Sequence, residues 1–180
     1  MSYSILFNPH AGNGSAEEKA RELALSLDGD YELINMTEID SYSDFLSSRS
    51  ESDTVIICGG DGTLNEGMAG LIEGGHDVPI GYIPCGTTND FASSLGIPKT
   101  MLKAAQAAVD GVPVSVDVGK FGERFFAYVA AFGAFTDVTY VTPQHIKNSL
   151  GRLAYLVEGA QRLSSLKTYP LHLEYDGGET

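Results

Sequence analysis

The chain has 180 residues, enough to bury a sizeable core in one domain, or in one domain and part of another. Hydrophobic residues make up 43% and charged residues 19%, an ordinary globular balance. A formal net charge of −13 at pH 7 removes any electrostatic route to a nucleic-acid backbone and opposes anionic lipid unless a local basic patch exists, so bound phosphates must be held by backbone N–H groups and a bridging cation.

The elements follow in chain order. Residues 3–7 (YSILF) read as a buried strand. Residues 16–27 carry Ala20, Leu23, Ala24 and Leu27 at helical spacing, with Ser15 as the expected N-cap and Glu17 and Glu18 in the first turn. Residues 31–36 are a second strand and 42–48 a short helix. Residues 54–58 (TVIIC) are a third strand, whose unbroken apolar run suits a parallel sheet covered on both faces. A helix over 64–73, a strand over 79–83 and helices over 89–95 and 101–110 complete an alternation of strand and helix. That order predicts an α/β fold, a parallel sheet with helices on both faces.

The pattern changes after Gly111. Residues 114–120 and 124–132 read as two strands joined at 121–123, a tight turn with Gly122, hence an antiparallel hairpin. Residues 153–166 read as a helix. Residues 171–175 alternate as a strand that runs into Asp176-Gly177-Gly178 and calls for a partner strand, which is expected to be missing because the chain ends at Thr180. The expected division is a nucleotide-binding α/β domain over residues 1–112, then the first part of an antiparallel β-sandwich over 113–180. No internal repeat and no low-complexity segment is present.

In an open parallel sheet, ligands sit beyond the carboxyl ends of the strands. Three loops at such ends carry chemistry, and six of the 21 glycines lie in them. The first is Asn8-Pro9-His10-Ala11-Gly12-Asn13-Gly14. The second, and most informative, is Gly59-Gly60-Asp61-Gly62-Thr63-Leu64-Asn65-Glu66. Its glycines let a ligand approach the backbone, Thr63 brings a hydroxyl, and the helix behind it turns free N–H groups and a positive dipole end toward an anion. Asp61 beside phosphates requires a cation or a donated proton between them, which points to a magnesium nucleotide. The plainer alternative makes Asp61 a helix cap. The third loop is Pro84-Cys85-Gly86-Thr87-Thr88-Asn89-Asp90-Phe91-Ala92, where the two threonines are hydroxyl donors and Asn89 or Asp90 is a candidate cap. His10 has no acid or nucleophile placed to use it as a base.

Other motifs are missing. There is no G-x-x-x-x-G-K-[ST] and no G-x-G-x-x-G opening the first helix, and no nucleophile with a histidine base is evident. Cys58 and Cys85 each end an apolar run and lack zinc spacing, so both read as small buried residues. The N-terminal stretch lacks the basic and apolar regions of a signal peptide, and no run is long enough to span a membrane. A cytoplasmic protein is expected. The aromatic series Phe125, Phe126, Tyr128, Phe132 and Phe135 alternates as a strand does and reads as core packing.

The second and third loops together resemble the paired signature of the diacylglycerol kinase catalytic domain family, and Asn8-Pro9-x-Ala11-Gly12 is similar to that family's first nucleotide loop. Similarity continues at Val116-Asp117-Val118-Gly119-Lys120, Gly151-x-Leu153-Ala154-Tyr155 and Leu173-Glu174-Tyr175-Asp176-Gly177, most like the bacterial soluble branch. The resemblance implies an α/β domain of the NAD kinase and phosphofructokinase kind, followed by a β-sandwich lipid domain. It implies transfer of the ATP γ-phosphoryl group, with Mg²⁺, to the hydroxyl of diacylglycerol or a related lipid presented at a membrane surface. The protein would then sit peripherally at the membrane, and a homodimer is among the expected assemblies. The ATP contacts it implies are Asn8, Pro9, His10, Ala11, Gly12, Thr37, Gly60, Asp61, Gly62, Thr63, Leu64, Asn65, Glu66 and Thr87, with Asp61 positioning the metal and phosphates. In the family the catalytic base and main Mg²⁺ ligands lie beyond the position of Thr180, which leads to the expectation of a truncated, inactive chain. Sphingoid or ceramide kinases share both blocks, and NAD kinases share Gly60-Asp61-Gly62-Thr63. A nucleotide-binding module without catalysis is the reading from another class.

Overall fold

The computed structural model describes residues 2–49, 53–131, 170, 174–175 and 178–179. The chain forms two compact units, Met1–Ala130 and Ala131–Thr180. In the first unit, strands β1 (Ser2–Phe7), β2 (Asp30–Asn35), β3 (Asp53–Gly59) and β4 (Ile80–Pro84) make one sheet in the order β2-β1-β3-β4. Every pairing in it is parallel, in the registers Ile5↔Leu33, Ile5↔Ile56 and Ile57↔Tyr82.

Strand alternation sorts the core into two layers. Tyr3, Ile5 and Phe7 of β1, Ile56 and Cys58 of β3, and Ile83 of β4 face α1 (Ala16–Ser26) and α5 (Met101–Asp110). The helices answer with small residues, Ala16, Ala20, Ala24, Ala104 and Ala105, which let them lie close to the sheet. Leu6, Val55, Ile57 and Tyr82 face the other way. They pack on Leu46 of α2 (Tyr42–Ser47), Leu64, Met68 and Leu71 of α3 (Asp61–Glu73), and Phe91 of α4 (Asp90–Ser94). A sheet clothed on both faces explains the unbroken apolar runs at 5–7 in β1 and 55–58 in β3. The edge strand β2 is not, and Tyr31 and Glu32 are exposed on it.

Sequence and structure agree on all nine elements of this layer and differ at their ends. The α3 helix starts three residues before the predicted Leu64, because Asp61 and Gly62 already have helical geometry and Leu64 N–H donates to Gly60 O at 3.0 Å. Ser15 holds the N-cap position of α1 but caps nothing with its side chain; its backbone is right-handed helical and its hydroxyl donates to Gly12 O at 2.7 Å. Asn89 is likewise no side-chain cap for α4. Its backbone is left-handed and its amide turns back to grip Gly86, donating to its O at 2.9 Å and accepting from its N–H at 2.8 Å.

The predicted hairpin is present but shorter, as β5 (Gly119–Phe121) and β6 (Arg124–Phe126), antiparallel and turning through Gly122 at φ +60. Residues 114–118 alternate Val and polar residues as a strand does, yet pair with no strand among the described residues. Phe125 and Phe126 are half-buried, but Tyr128 is not in the core as expected; it is 52% exposed and meets Phe91 edge to face at 6.2 Å.

In the second unit, β7 (Glu174–Tyr175) pairs antiparallel with β8 (Gly178–Glu179), so the partner strand expected to be missing is present, because two residues past the turn are enough for a short pairing. The predicted helix over 153–166, Phe132, Phe135 and residues 171–173 lie outside the described residues. No described helix is long and apolar enough to cross a membrane.

Candidate functional site

From β1 the chain winds one way to β2 and, after returning through β3, the other way to β4. The strand order reverses between β1 and β3, and the crevice at such a switch point is where open α/β sheets hold ligands. The loop after β1 and the glycine-rich start of α3 flank this point, and the loop after β4 closes one side.

Glycines bring these loops into backbone contact. A Cβ on Gly12 would stand 2.0 Å from Cys85 O, so the first loop lies directly on the third. A Cβ on Gly86 would stand 2.6 Å from the Gly60 Cα, which sets the third loop on the second. Cys85 N–H donates to Gly59 O at 2.7 Å, and Asn8 N–H donates to Cys58 O at 3.4 Å, tying the loop roots across the sheet edge. Gly62, on the first turn of α3, meets nothing within 4 Å; its face is open.

Asp61 is a cap, though not of its own helix. Its Oδ2 accepts from Thr88 Oγ1 at 3.3 Å and Asp90 N–H at 3.1 Å, and its Oδ1 accepts from Phe91 N–H at 3.1 Å. The carboxylate thus takes up the first two N–H groups of α4 and braces the third loop against the second. Its charge is also felt by Tyr82, whose hydroxyl donates to Gly59 O at 3.3 Å; burial first, and Asp61 second, push that phenol up.

The other expected contacts are placed as follows. Thr63 is buried with its side chain over Gly59, so its hydroxyl is turned to the sheet rather than outward. Leu64 is 2% exposed and belongs to the core. His10 is exposed, its N–H bonded to Asn8 Oδ1 at 2.9 Å. Thr37 is exposed in the 3-10 turn Met36–Glu38 that follows β2, its N–H and hydroxyl both held by Asn35 Oδ1 at 3.1 and 2.9 Å. Thr87 is exposed and Pro9 and Ala11 half-buried in their loops. Burial pushes the Glu66 carboxyl up, the Tyr42 hydroxyl acting against it, and the same burial raises Tyr42 to about 12. Asn65 is bonded to the hairpin, donating to Phe125 O at 3.2 Å and accepting from Ala127 N–H at 2.9 Å.

Several of these links are not visible in the sequence. Asn35-x-Thr37 is an exception, since an Asx turn has a local signature. The reach of Asp61 to α4 spans 30 positions and that of Asn65 spans 60 to Phe125 in β6 and 62 to Ala127 just after it, and nothing local announces either.

Cys58 and Cys85 are free and buried, as expected. Burial raises Cys85 to about 11 against a lowering by Lys19, and raises Cys58 further. Neither is a nucleophile at neutral pH. Among the described residues, no group of three or more His, Cys, Asp or Glu side chains is arranged to hold a metal ion. A cavity of about 470 Å³ lies between β2 and α2, away from the glycine loops, and its Glu32, Glu38, Asp40 and Asp44 repel phosphate.

Comparison with known proteins agrees with this geometry. The diacylglycerol kinase catalytic domain matches residues 2–121. A diacylglycerol kinase of Bacillus subtilis is 43% identical over 128 residues, 71% of this chain and 42% of that protein. One of Staphylococcus aureus is 41% identical over 125 residues, 69% of this chain and 40% of its own length. The chain therefore spans about two fifths of the curated relatives it matches. A solved diacylglycerol kinase from Bacillus anthracis is 27% identical with a TM-score of 0.58, covering 69% of this chain and 45% of that one. Another solved chain from that organism, 23% identical, shares the fold over 99% of this chain and 61% of its own at a TM-score of 0.70. With its matched segment covering the sheet, all three loops and β5, the chain belongs to the diacylglycerol kinase catalytic domain family.

Proposed function

We propose that this chain is the nucleotide-binding part of an ATP-dependent lipid kinase. The reaction is transfer of the γ-phosphoryl group to the hydroxyl of diacylglycerol or a related lipid, giving phosphatidic acid when diacylglycerol accepts. The observation that carries this reading is the convergence of three glycine loops at the switch point of a parallel sheet, in a chain 43% identical to a diacylglycerol kinase over this region. In this reading residues 1–112 bind the nucleotide and residues 113–180 begin the lipid-binding part. The protein is cytoplasmic and works peripherally at a membrane surface, where a lipid substrate is presented. At −13 the chain as a whole does not seek anionic lipid, so docking depends on local surface.

Phosphoryl transfer demands positioning and charge stabilisation more than covalent chemistry from the protein. The open face of Gly62 and the N–H groups that begin α3 suit phosphate oxygens, with the helix dipole adding to the attraction. The loop of Asn8, Pro9, His10, Ala11 and Gly12, with Thr37 and Thr87, borders the same edge and suits the rest of the nucleotide. Asp61 holds the third loop in place.

Magnesium normally accompanies ATP and neutralises charge on the transferring group. The described side chains do not by themselves fit it: Asp61 has already committed both oxygens to α4, and no triad of ligating groups stands beside it. No step is therefore assigned to the metal.

Calorimetry of the chain with millimolar Mg-ATP tests the reading. Saturable heat is expected; a folded sample that binds no nucleotide would sink it. Labelled phosphate transfer to diacylglycerol, ceramide and NAD, by this chain and by one as long as its relatives, identifies the acceptor. Transfer to lipid by the longer chain alone is expected. Transfer to NAD instead would reassign the activity, and nucleotide binding without transfer in either would leave a binding module.

A further inference from the structure

Asn65 lies one helical turn after Asp61, on the same side of α3. The two residues reach in different directions. Asp61 holds α4, and the Phe91 whose N–H it accepts packs edge to face on Tyr128. Asn65 holds the end of β6 directly, its amide bridging Phe125 O and Ala127 N–H as a neighbouring strand would. Both halves of the amide are matched, donor to acceptor and acceptor to donor. Exchange of one half for the other would oppose two donors and two acceptors. The hairpin β5–β6 is short and its tip is exposed at Phe121, Gly122 and Glu123, so it has little pairing of its own to hold it. Its closure onto α3 combines this amide with the packing of the flanking Val118 and Ala127 on the core layer of Leu64 and Met68.

We propose that Asn65 is a positioning residue that couples the nucleotide loops to the hairpin: a nucleotide seated at the start of α3 steadies β5–β6 through Asn65. The inference rests on the nucleotide reading above and adds a regulated element to it. Any opening that swings β6 off α3 must break both amide bonds. If the same opening also loosens the first turns of α3, bound nucleotide suppresses it. At nucleotide ten times its Kd such openings fall about tenfold. The hairpin is formed without nucleotide and opens about tenfold less often when the phosphate loops are filled, so its protection reports nucleotide occupancy.

The test is amide hydrogen exchange on this chain with and without saturating Mg-ATP, for the native protein, Asn65→Ala and Asn65→Asp. In the native protein, nucleotide is expected to slow exchange both in the loops around Gly12 and Gly62 and at Ala127, the latter about tenfold. In Asn65→Ala, whose alanine keeps α3 helical, the loops should still be protected while Ala127 changes less than about twofold. Asn65→Asp separates coupling from simple loss of folding. An ionised carboxylate faces Phe125 O with an acceptor, whereas the protonated acid both donates and accepts as the amide does. Ala127 protection in this variant should be low at neutral pH and return toward pH about 4, with Asn65→Ala staying low throughout. Equal nucleotide-linked protection of Ala127 in native protein and Asn65→Ala would overturn the proposal, since the coupling would then run elsewhere, as through Phe91 and Tyr128. So would loop protection with no response at Ala127. Absence of loop protection and of binding heat would bring down the nucleotide reading itself, and the coupling with it.

Discussion

Gly12 and Gly14 sit two residues apart in the first loop, both with positive φ, +60 and +82, yet their surroundings differ sharply. A Cβ at Gly12 would lie 2.0 Å from Cys85 O, 3.0 Å from Ser15 Oγ and 3.1 Å from Cys85 C. At Gly14 the nearest atom would be Pro9 O at 3.8 Å, an ordinary contact. Cys85 cannot readily withdraw: it is 2% exposed, and its N–H is fixed to Gly59 O at 2.7 Å. Carbon–oxygen approaches shorter than about 3.3 Å are uncommon, so the Gly12 contact is short by about 1.3 Å. Alanine at either site pays about 1–2 kcal/mol for left-handed backbone. At Gly12 overpacking adds about 1–3 kcal/mol. The reduced freedom of the unfolded chain offsets both equally. Gly12→Ala should therefore fall below Gly14→Ala by about 1–3 kcal/mol, a shift of about 1 M in the urea midpoint at an unchanged slope. In calorimetry Gly12→Ala should also lose most Mg-ATP affinity, because the first loop must lift off the third, while Gly14→Ala keeps it within a few-fold. Coincident midpoints and equal affinities for the two variants would refute the claim that contact between loops one and three builds the site.

Three further outcomes are expected. Gly62→Ala should raise stability by about 0.5–1 kcal/mol, since the residue is helical with open space around it, yet weaken Mg-ATP at least about tenfold if phosphates press on that backbone; thermal melting with calorimetry separates the two effects, and unaltered affinity would move the phosphate site elsewhere. Asp61→Asn keeps the shape but sets an amide donor against donors of α4, so the melting temperature should fall by an amount equivalent to about 1–3 kcal/mol; unchanged stability with lost nucleotide binding would make Asp61 a ligand rather than a brace. Cys85 should resist iodoacetamide at pH 8 until the chain unfolds. Because its folded pKa is raised from 9.0 to about 11, its contribution is full below pH 9.0 and is lost as pH rises toward 11. Cys85→Ala should flatten the decline in urea midpoint over that window, and an equally steep decline would assign it to other groups.

The sequence by itself determined the strand and helix layer of residues 3–110, because continuous apolar runs bounded by glycine and polar clusters permit few alternatives to a buried parallel sheet. It located the three glycine loops for the same reason, since residues without side chains next to strand ends are local facts. The spacing of those loops also carried the family. What it did not hold were relations between distant segments. Ser15 and Asn89 have the composition of caps, but their backbones are helical and left-handed, so each side chain bonds back into its own loop. Residues 114–118 have the alternation of a strand, but strand pairing is a contract between two segments, and among the described residues only Gly119–Phe121 of this stretch is paired. Asp61 reads locally as a cap or a ligand, and only the folded sheet brings α4 within 3.1 Å of it. Asn65 reads as part of the nucleotide motif, and only the return of the chain along α3 places Phe125 and Ala127 against its amide. Hydrophobic periodicity and turn chemistry act over a few residues and are written in the sequence. A hydrogen bond across 30 or 62 positions exists only once the sheet order has set which loops meet.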